Sequence, residues 1–509
     1  MVDAYDPPCR ARGVGLLMFR LRNRSRSHRV PSHVEVGTRM GTDDGFRAVV
    51  DARSVVQPLG SGHRVEWWVG GEDRWYDPST EAAVRQVRPG VAPVLETRLR
   101  VSGGDVMATT WAAVGRGSIG PAVVVELANE TSVPVAVAVA VQAASGGQIR
   151  RMSADGRRLL VDGTTAVVVD REPGCYALVD AAEDLWAMVS GGRMQVEQPR
   201  SIRCRIGAAA GALVVPLPHR ASLRFAVPAA DLVENPSASF PDADRVAAGW
   251  ATRLIDAATV DIPDGALSAG VHRALVDLQL AKPTAVGAVE LARWGLGRQA
   301  VETLAATLDP VAKRLVAAAH LWRLHRDPAW FEGPSGLPLE DLVREPADRV
   351  EVAGALGALA DLLDVRGDTR SAADAREVAD GAALVSLSPT DPATTTLRDL
   401  SNCLALESVD GLDLLTEVPD AWLGGGIEVH GLATPYGRLG YAVRWHDDRP
   451  ALLWELDRRD DRPMVLRAPG LDTAFSTDEP IGEILLAAPA GWVTPRSAAV
   501  SPPDGGEFF

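Results

Sequence analysis

The sequence predicts a multidomain α and β protein: an N-terminal antiparallel β-sandwich, a central domain of αα-hairpins and a C-terminal β-rich segment. Three observations carry this. Short β-prone runs separated by Gly, Asp, Asn and Pro recur from residue 34 to 233; apolar spacing turns helical past Pro241; strand signals return from Glu417. A chain of 509 residues is also too long for one ordinary core and calls for two or three domains.

Residues 13–19 form a short apolar run followed by Arg20, Arg22, Arg24, Arg26 and Arg29. That order is the reverse of a signal peptide, so 1–33 is expected to be a basic, disordered arm. The sandwich is placed at 34–235. Val65-Glu66-Trp67-Trp68-Val69 is short and β-prone and closes on Gly70-Gly71. Leu95-Glu96-Thr97-Arg98-Leu99-Arg100-Val101 alternates and meets the turn cluster Ser102-Gly103-Gly104-Asp105. Residues 123–127, 134–142, 165–169, 195–205 and 212–217 continue the series. Strands this close together argue for an antiparallel sandwich rather than βαβ units.

The helical domain is placed at 242–415. Val246, Trp250, Leu254 and Ile255 share helical spacing, with Asp242 as N-cap. Further helices are expected at 265–280, 284–295, 298–307, 310–326, 350–365 and 369–384. Short connections such as Trp294-Gly295-Leu296-Gly297 and Val365-Arg366-Gly367-Asp368 suit stacked antiparallel hairpins. The Pro/Glu/Asp-rich stretch 332–348 is expected to be a loop. In the C-terminal segment, 416–493, strands are expected at 426–431, 440–445 and 451–456, and 494–509 is expected to be a disordered tail.

A formal charge of -15 argues against nucleic acid and anionic membrane as main partners, since both reward a Lys/Arg surplus. The most apolar run, 133–144, largely alternates Val and Ala and is too short to span a bilayer as a helix. Cys9, Cys175, Cys204 and Cys403 show no zinc spacing, and so few thiols fit a reducing, cytoplasmic compartment with free cysteines. Gly115-Arg116-Gly117-Ser118-Ile119-Gly120 matches the spacing of a dinucleotide fingerprint, but Pro121 and a Val-rich strand follow where a helix is needed. It reads as a β-turn, and no cofactor is expected. His320 and His325 are five apart rather than four, so no metal site is expected either.

Trp (13) outnumbers both Phe (8) and Tyr (5), and Trp serves cores and sugar platforms alike. The span 422–455 gathers Glu428, His430, Tyr436, Arg444, Trp445, His446, Trp454 and Glu455 on expected strands. Period-2 alternation puts Glu428 and His430 on one face. Carboxylates beside Trp suit carbohydrate sites, because glycosidic cleavage needs two acids at a set separation. Glu66-Trp67-Trp68, with Glu72, Asp73, Arg74 and Trp75, fits either a sugar-binding edge or a packed interface.

On Glu66-Trp67-Trp68, on residues 96–101 with Gly103-Gly104-Asp105, and on 123–135 and 426–454, the chain resembles six-hairpin glycosidases of the glucoamylase and glycogen-debranching kind. More closely it resembles an actinobacterial group with the same layout. The resemblance implies a sandwich packed on an (α/α)6 toroid, here shortened to a partial toroid. It also implies a substrate-gripping Arg-Asp pair after the second helix, yet Pro283-Thr284-Ala285-Val286-Gly287-Ala288-Val289-Glu290 lacks one. Two functions follow. One is a glycoside hydrolase of inverting type acting on an α-glucan or oligosaccharide. Glu428 and Glu290 would be its acids, and Trp445, Trp454, His430, Trp67 and Trp68 its substrate contacts. The other is a catalytically degenerate relative that serves as a glycan-binding or protein-interaction scaffold. Two carboxyl groups roughly 5–10 Å apart on one pocket would favour the first.

Overall fold

The computed structural model describes residues 37–117, 119–197, 201–331, 349–389 and 391–489. The expected arm at 1–33, loop at 332–348 and tail at 494–509 lie outside the described residues, as does Cys9. The protein is a mixed α and β chain of two compact units, Met1–Arg253 and Leu254–Phe509.

The first unit holds an eight-stranded and a nine-stranded sheet, and every strand pair within them is antiparallel. Alternation becomes burial in the strand Leu95–Val101, where Leu95, Thr97, Leu99 and Val101 are buried and Arg98 and Arg100 are exposed. Its apolar residues join one cluster with Trp67, Val137, Val139 and Val215 of the other sheet. The turn into Gly104–Val114 needs glycine at position 104, because φ is 152° and a Cβ there would lie 2.7 Å from Thr131 Cα. The Gly115–Gly120 motif does join two paired strands, and Gly115 N–H donates to the Gly120 carbonyl at 3.2 Å.

Trp67 and Trp68 are 1% and 0% exposed, which corrects the idea that they form a sugar-binding edge. Consecutive strand residues face opposite ways, and here both faces are covered. Trp67 fills the core between the sheets. Trp68 packs on the outer face with Leu185, Met188 and Val189 of the helix Leu185–Ser190, edge-on to Trp186 at 5.2 Å. Glu66 beside them is buried too and accepts from Gln142.

The helix Ala243–Arg253, expected to open the helical domain, belongs to the first unit. Its Val246 and Trp250 pack against a cluster containing Trp111 and Phe240, and Trp111 Nε1 donates to the Pro241 carbonyl at 3.0 Å.

The second unit contains the helices Gly265–Leu280, Ala285–Arg293, Gly297–Ala306, Val311–His325, Arg349–Val365, Thr369–Ala379 and Pro392–Leu404. Side chains of Asp264, Thr284, Asp368 and Asp391 cap four of them by accepting from the backbone N–H three residues on. The helix expected over 369–384 stops at Ala379 because Asp380 and Gly381 turn left-handed, with φ of 38° and 72°. Gly295, φ 86°, turns the chain between helices where a Cβ would meet the Asp256 carbonyl oxygen at 2.6 Å. Gly295→Ala should therefore cost more than about 1 kcal/mol, read from the urea midpoint.

A five-stranded antiparallel sheet and a four-stranded sheet complete this unit. In the four-stranded one, Gly411–Leu414 and Val465–Ala468 run parallel. Cys204 and Cys403 are free thiols, whereas Cys175 is disulfide-bonded, against the expectation of free cysteines throughout. No helix among the described residues is long and apolar enough to cross a membrane.

Candidate functional site

A cleft of about 610 Å³ lies within the second unit, lined by Arg293, His320, Arg323, Asn402, Glu407 and Thr434 among others. Arg293 comes from an element placed by burial. The helix Ala285–Arg293 is buried at every position from Ala285 to Ala292. Its last residue, Arg293, therefore emerges at the end of a core helix, where a cation also suits the helix dipole. Arg293 Nη1 donates to Asn402 Oδ1 at 2.8 Å and to Ser401 Oγ at 3.2 Å, both on Pro392–Leu404.

His320 and Arg323 are three apart on Val311–His325 and so share a face. Arg323 forms an ion pair with Glu407. His320 Nε2 donates to the Val385 carbonyl at 3.0 Å, leaving Nδ1 as the acceptor nitrogen. Burial pushes the His320 pKa down to about 4, and the guanidinium groups of Arg293, Arg323 and Arg398 add to the effect. The ring is therefore neutral at pH 7. His325 sits apart from it, donating to the Ala292 carbonyl at 2.9 Å and packing on Trp330 at 4.4 Å. Burial holds it at about 4 as well.

These two rings make stability pH-dependent. Between pH 6.5 and 4 the unfolded chain binds a proton at each ring that the folded chain does not, so stability is full above 6.5 and falls toward 4. Unfolding near pH 5 should take up about two protons from solvent, one onto each of these histidines. Urea midpoints measured across that range should fall, and His325→Gln should remove about half of the slope. A midpoint independent of pH there would refute the assignment.

Glu290 does not reach the cleft wall. It is 0% exposed, and its Oε1 accepts from Arg398 Nε at 2.8 Å and Nη2 at 2.7 Å. Arg398 also donates to the Leu387 carbonyl. The expected catalytic acid is thus one half of a buried ion pair between two helices, without the exposure that contact with a substrate requires.

Glu428 and His430 share a face of the strand Ile427–Thr434, with Glu428 Oε2 3.7 Å from His430 Nε2 and Oε1 accepting from Arg444 Nη2 at 3.2 Å. All three side chains are open to solvent, at 43%, 63% and 67%. They do not line the cleft, although Leu432, Ala433 and Thr434 of the same strand do. A bulge between Val429 and Leu432, with Gly431 at φ 77°, breaks the period between the two ends.

Trp454 is 7% exposed, donates from Nε1 to the Glu479 carbonyl at 2.9 Å and meets Phe475 edge-on at 5.6 Å. Gly482 lies so close beneath its ring that a Cβ there would be 2.4 Å away. Trp454 is core, a second correction among the expected sugar contacts. Trp445 is half-buried opposite Pro450 and does not line the cleft.

The structure thus brings Glu428, His430 and Arg444 together, keeps Glu290 with Arg398, and assembles the cleft from other residues. Nothing in the sequence points to it: His320 enters there only with His325 as a candidate metal ligand, and Arg293, Arg323, Asn402 and Glu407 carry no motif. Among the described residues no three His, Cys, Asp or Glu side chains gather as a metal site.

No family model matches the chain, and no curated protein matches it either. Similar solved structures are glycoside hydrolases. A bacterial glucoamylase complexed with acarbose is 10% identical with a TM-score of 0.44, over 66% of this chain and 64% of that one. A family GH92 inverting mannosidase from Bacteroides thetaiotaomicron is 10% identical at TM-score 0.31, over 62% and 54%. Another family GH92 glycosyl hydrolase is 11% identical at TM-score 0.20, over 67% and 52%. The chain spans less than two thirds of the length of each of these structures.

Proposed function

We propose that this chain is a glycoside hydrolase-like protein that binds a carbohydrate in the Arg293–Asn402 cleft without cleaving it. On this reading the two sheets of the first unit are the β-sandwich of the six-hairpin layout, and the helices of the second unit are its shortened toroid. One observation carries the reading. Among the described residues that line the cleft, the carboxylates reduce to Glu407, and that one is ion-paired with Arg323. Glycosidic cleavage takes two carboxyl groups across the scissile bond. The remaining polar lining of guanidinium, amide, hydroxyl and imidazole groups suits a hydroxylated ligand, and about 610 Å³ is ordinary for a small-ligand site.

Hydrolysis at Glu428 is the second reading, favoured by the solvent access of that carboxylate and its contact with Arg444. Thermal shift of the full chain against maltooligosaccharides, trehalose, glycogen fragments and acidic oligosaccharides, followed by product analysis, separates the two. The expected result is stabilisation, about 2.7 kcal/mol at 100 times the dissociation constant, with no sugar released. Released sugar that disappears in Glu428→Gln would replace binding with hydrolysis. No shift with any sugar would sink the carbohydrate reading.

A further inference from the structure

The charges of the cleft do not balance. Arg323 pairs with Glu407, and Arg398 behind the wall pairs with Glu290. Arg293 is half-buried, and its hydrogen bonds run to Ser401 and Asn402, both neutral. Among the described residues no carboxylate pairs with it. His320 is neutral at pH 7. The lining therefore carries two arginines and one carboxylate, leaving one net positive charge in a chain whose formal charge is -15. A partly desolvated cation without a counter-ion is unfavourable, and an anion in the same cavity relieves it. Low-dielectric walls also focus its field on the cavity.

We propose that the carbohydrate held in this cleft is an acidic one, a uronate-bearing saccharide whose carboxylate lies against Arg293. This rests on the carbohydrate-binding reading above and narrows it. A planar guanidinium matches a carboxylate by two parallel hydrogen bonds. The single charge of a uronate cancels the single surplus of the cleft, whereas a phosphate monoester dianion would leave a negative surplus beside Glu407. Around that anchor, Glu407 and the acceptor nitrogen of His320 serve hydroxyl donors, and Asn402 adds an amide.

The test is calorimetric titration of the full chain with glucuronate and digalacturonate, set against glucose, maltose, glucose 6-phosphate and inorganic phosphate. The uronates should bind at least about tenfold more tightly than the neutral sugars, with an affinity that falls as salt rises. Arg293→Gln should weaken uronate binding by about 10–100-fold and neutral-sugar binding far less, because a neutral sugar loses a hydrogen bond there but no charge pairing. Arg293→Lys should restore part of the loss. Glu407 is exposed, so Glu407→Gln keeps the test alive if Arg293→Gln misfolds; it should tighten uronate binding severalfold. Equal binding of neutral and acidic sugars, unmoved by either variant, would overturn the acidic assignment and leave carbohydrate binding standing. Preference for the phosphate ligands would overturn the carboxylate. Binding of no sugar at all would overturn both this inference and the reading beneath it.

Discussion

Arg398→Ala is expected to destabilise the protein by about 3–5 kcal/mol, because it leaves the Glu290 carboxylate buried without its counter-charge. The guanidinium gives two hydrogen bonds to Glu290 Oε1 and one to the Leu387 carbonyl, so truncation also frees the chain around 387. Glu290 Oε2 has no hydrogen-bond partner among the described residues, which leaves the carboxylate little else to rely on. Replacing both partners by apolar residues, as in Glu290→Leu with Arg398→Met, should recover most of the loss, since no charge is then left buried. Urea midpoints at an unchanged denaturant slope are the measurement. The same experiment tests the chemistry. A structural Glu290 makes Glu290→Gln a stability variant, whereas a catalytic one would lose turnover at unchanged stability. A loss below about 1 kcal/mol for Arg398→Ala would remove the physical ground for setting Glu290 aside.

Trp68→Ala should cost about 3–5 kcal/mol, the range for truncating a buried aromatic side chain to a cavity. The indole is 0% exposed and closes the outer face of its sheet under the helix Leu185–Ser190. Trp68→Phe should cost far less, because the Nε1 of Trp68 has no hydrogen-bond partner to lose and much of the ring volume remains. A Trp displayed as a sugar platform would behave in the opposite way, losing ligand binding while stability moved within about 0.5 kcal/mol. Thermal and urea unfolding of the two variants, with sugar titration alongside, separates a core residue from a binding one.

Much of the local structure was legible in residue order. The alternation of Leu95–Val101 became its burial pattern, the Gly103-Gly104 turn closed the hairpin that its φ angles demand, and Thr284 and Asp368 capped the helices they precede. The helix Pro392–Leu404 matches none of the expected helices, although Asp391 and Pro392 form a start signal. Its first turns carry Thr394, Thr395 and Thr396, whose branched side chains disfavour a helix until tertiary packing overrides them. That omission mattered, since this helix supplies Arg398, Ser401 and Asn402.

Local sequence determined which stretches are strands or helices and where they turn, because those choices depend on period, capping and φ within a few residues. It could not determine what covers a face or what meets a charge. Trp67 and Trp68 alternate correctly, but only the folded chain brings the helix at Leu185–Ser190 over the outer one. Glu290 is set aside by Arg398, 108 positions away, and Arg293 is left with neutral partners from Ser401 and Asn402 at a similar separation. Burial and electrostatic compensation are sums over everything within a few ångströms, whatever its place in the chain. The site was therefore decided by tertiary structure.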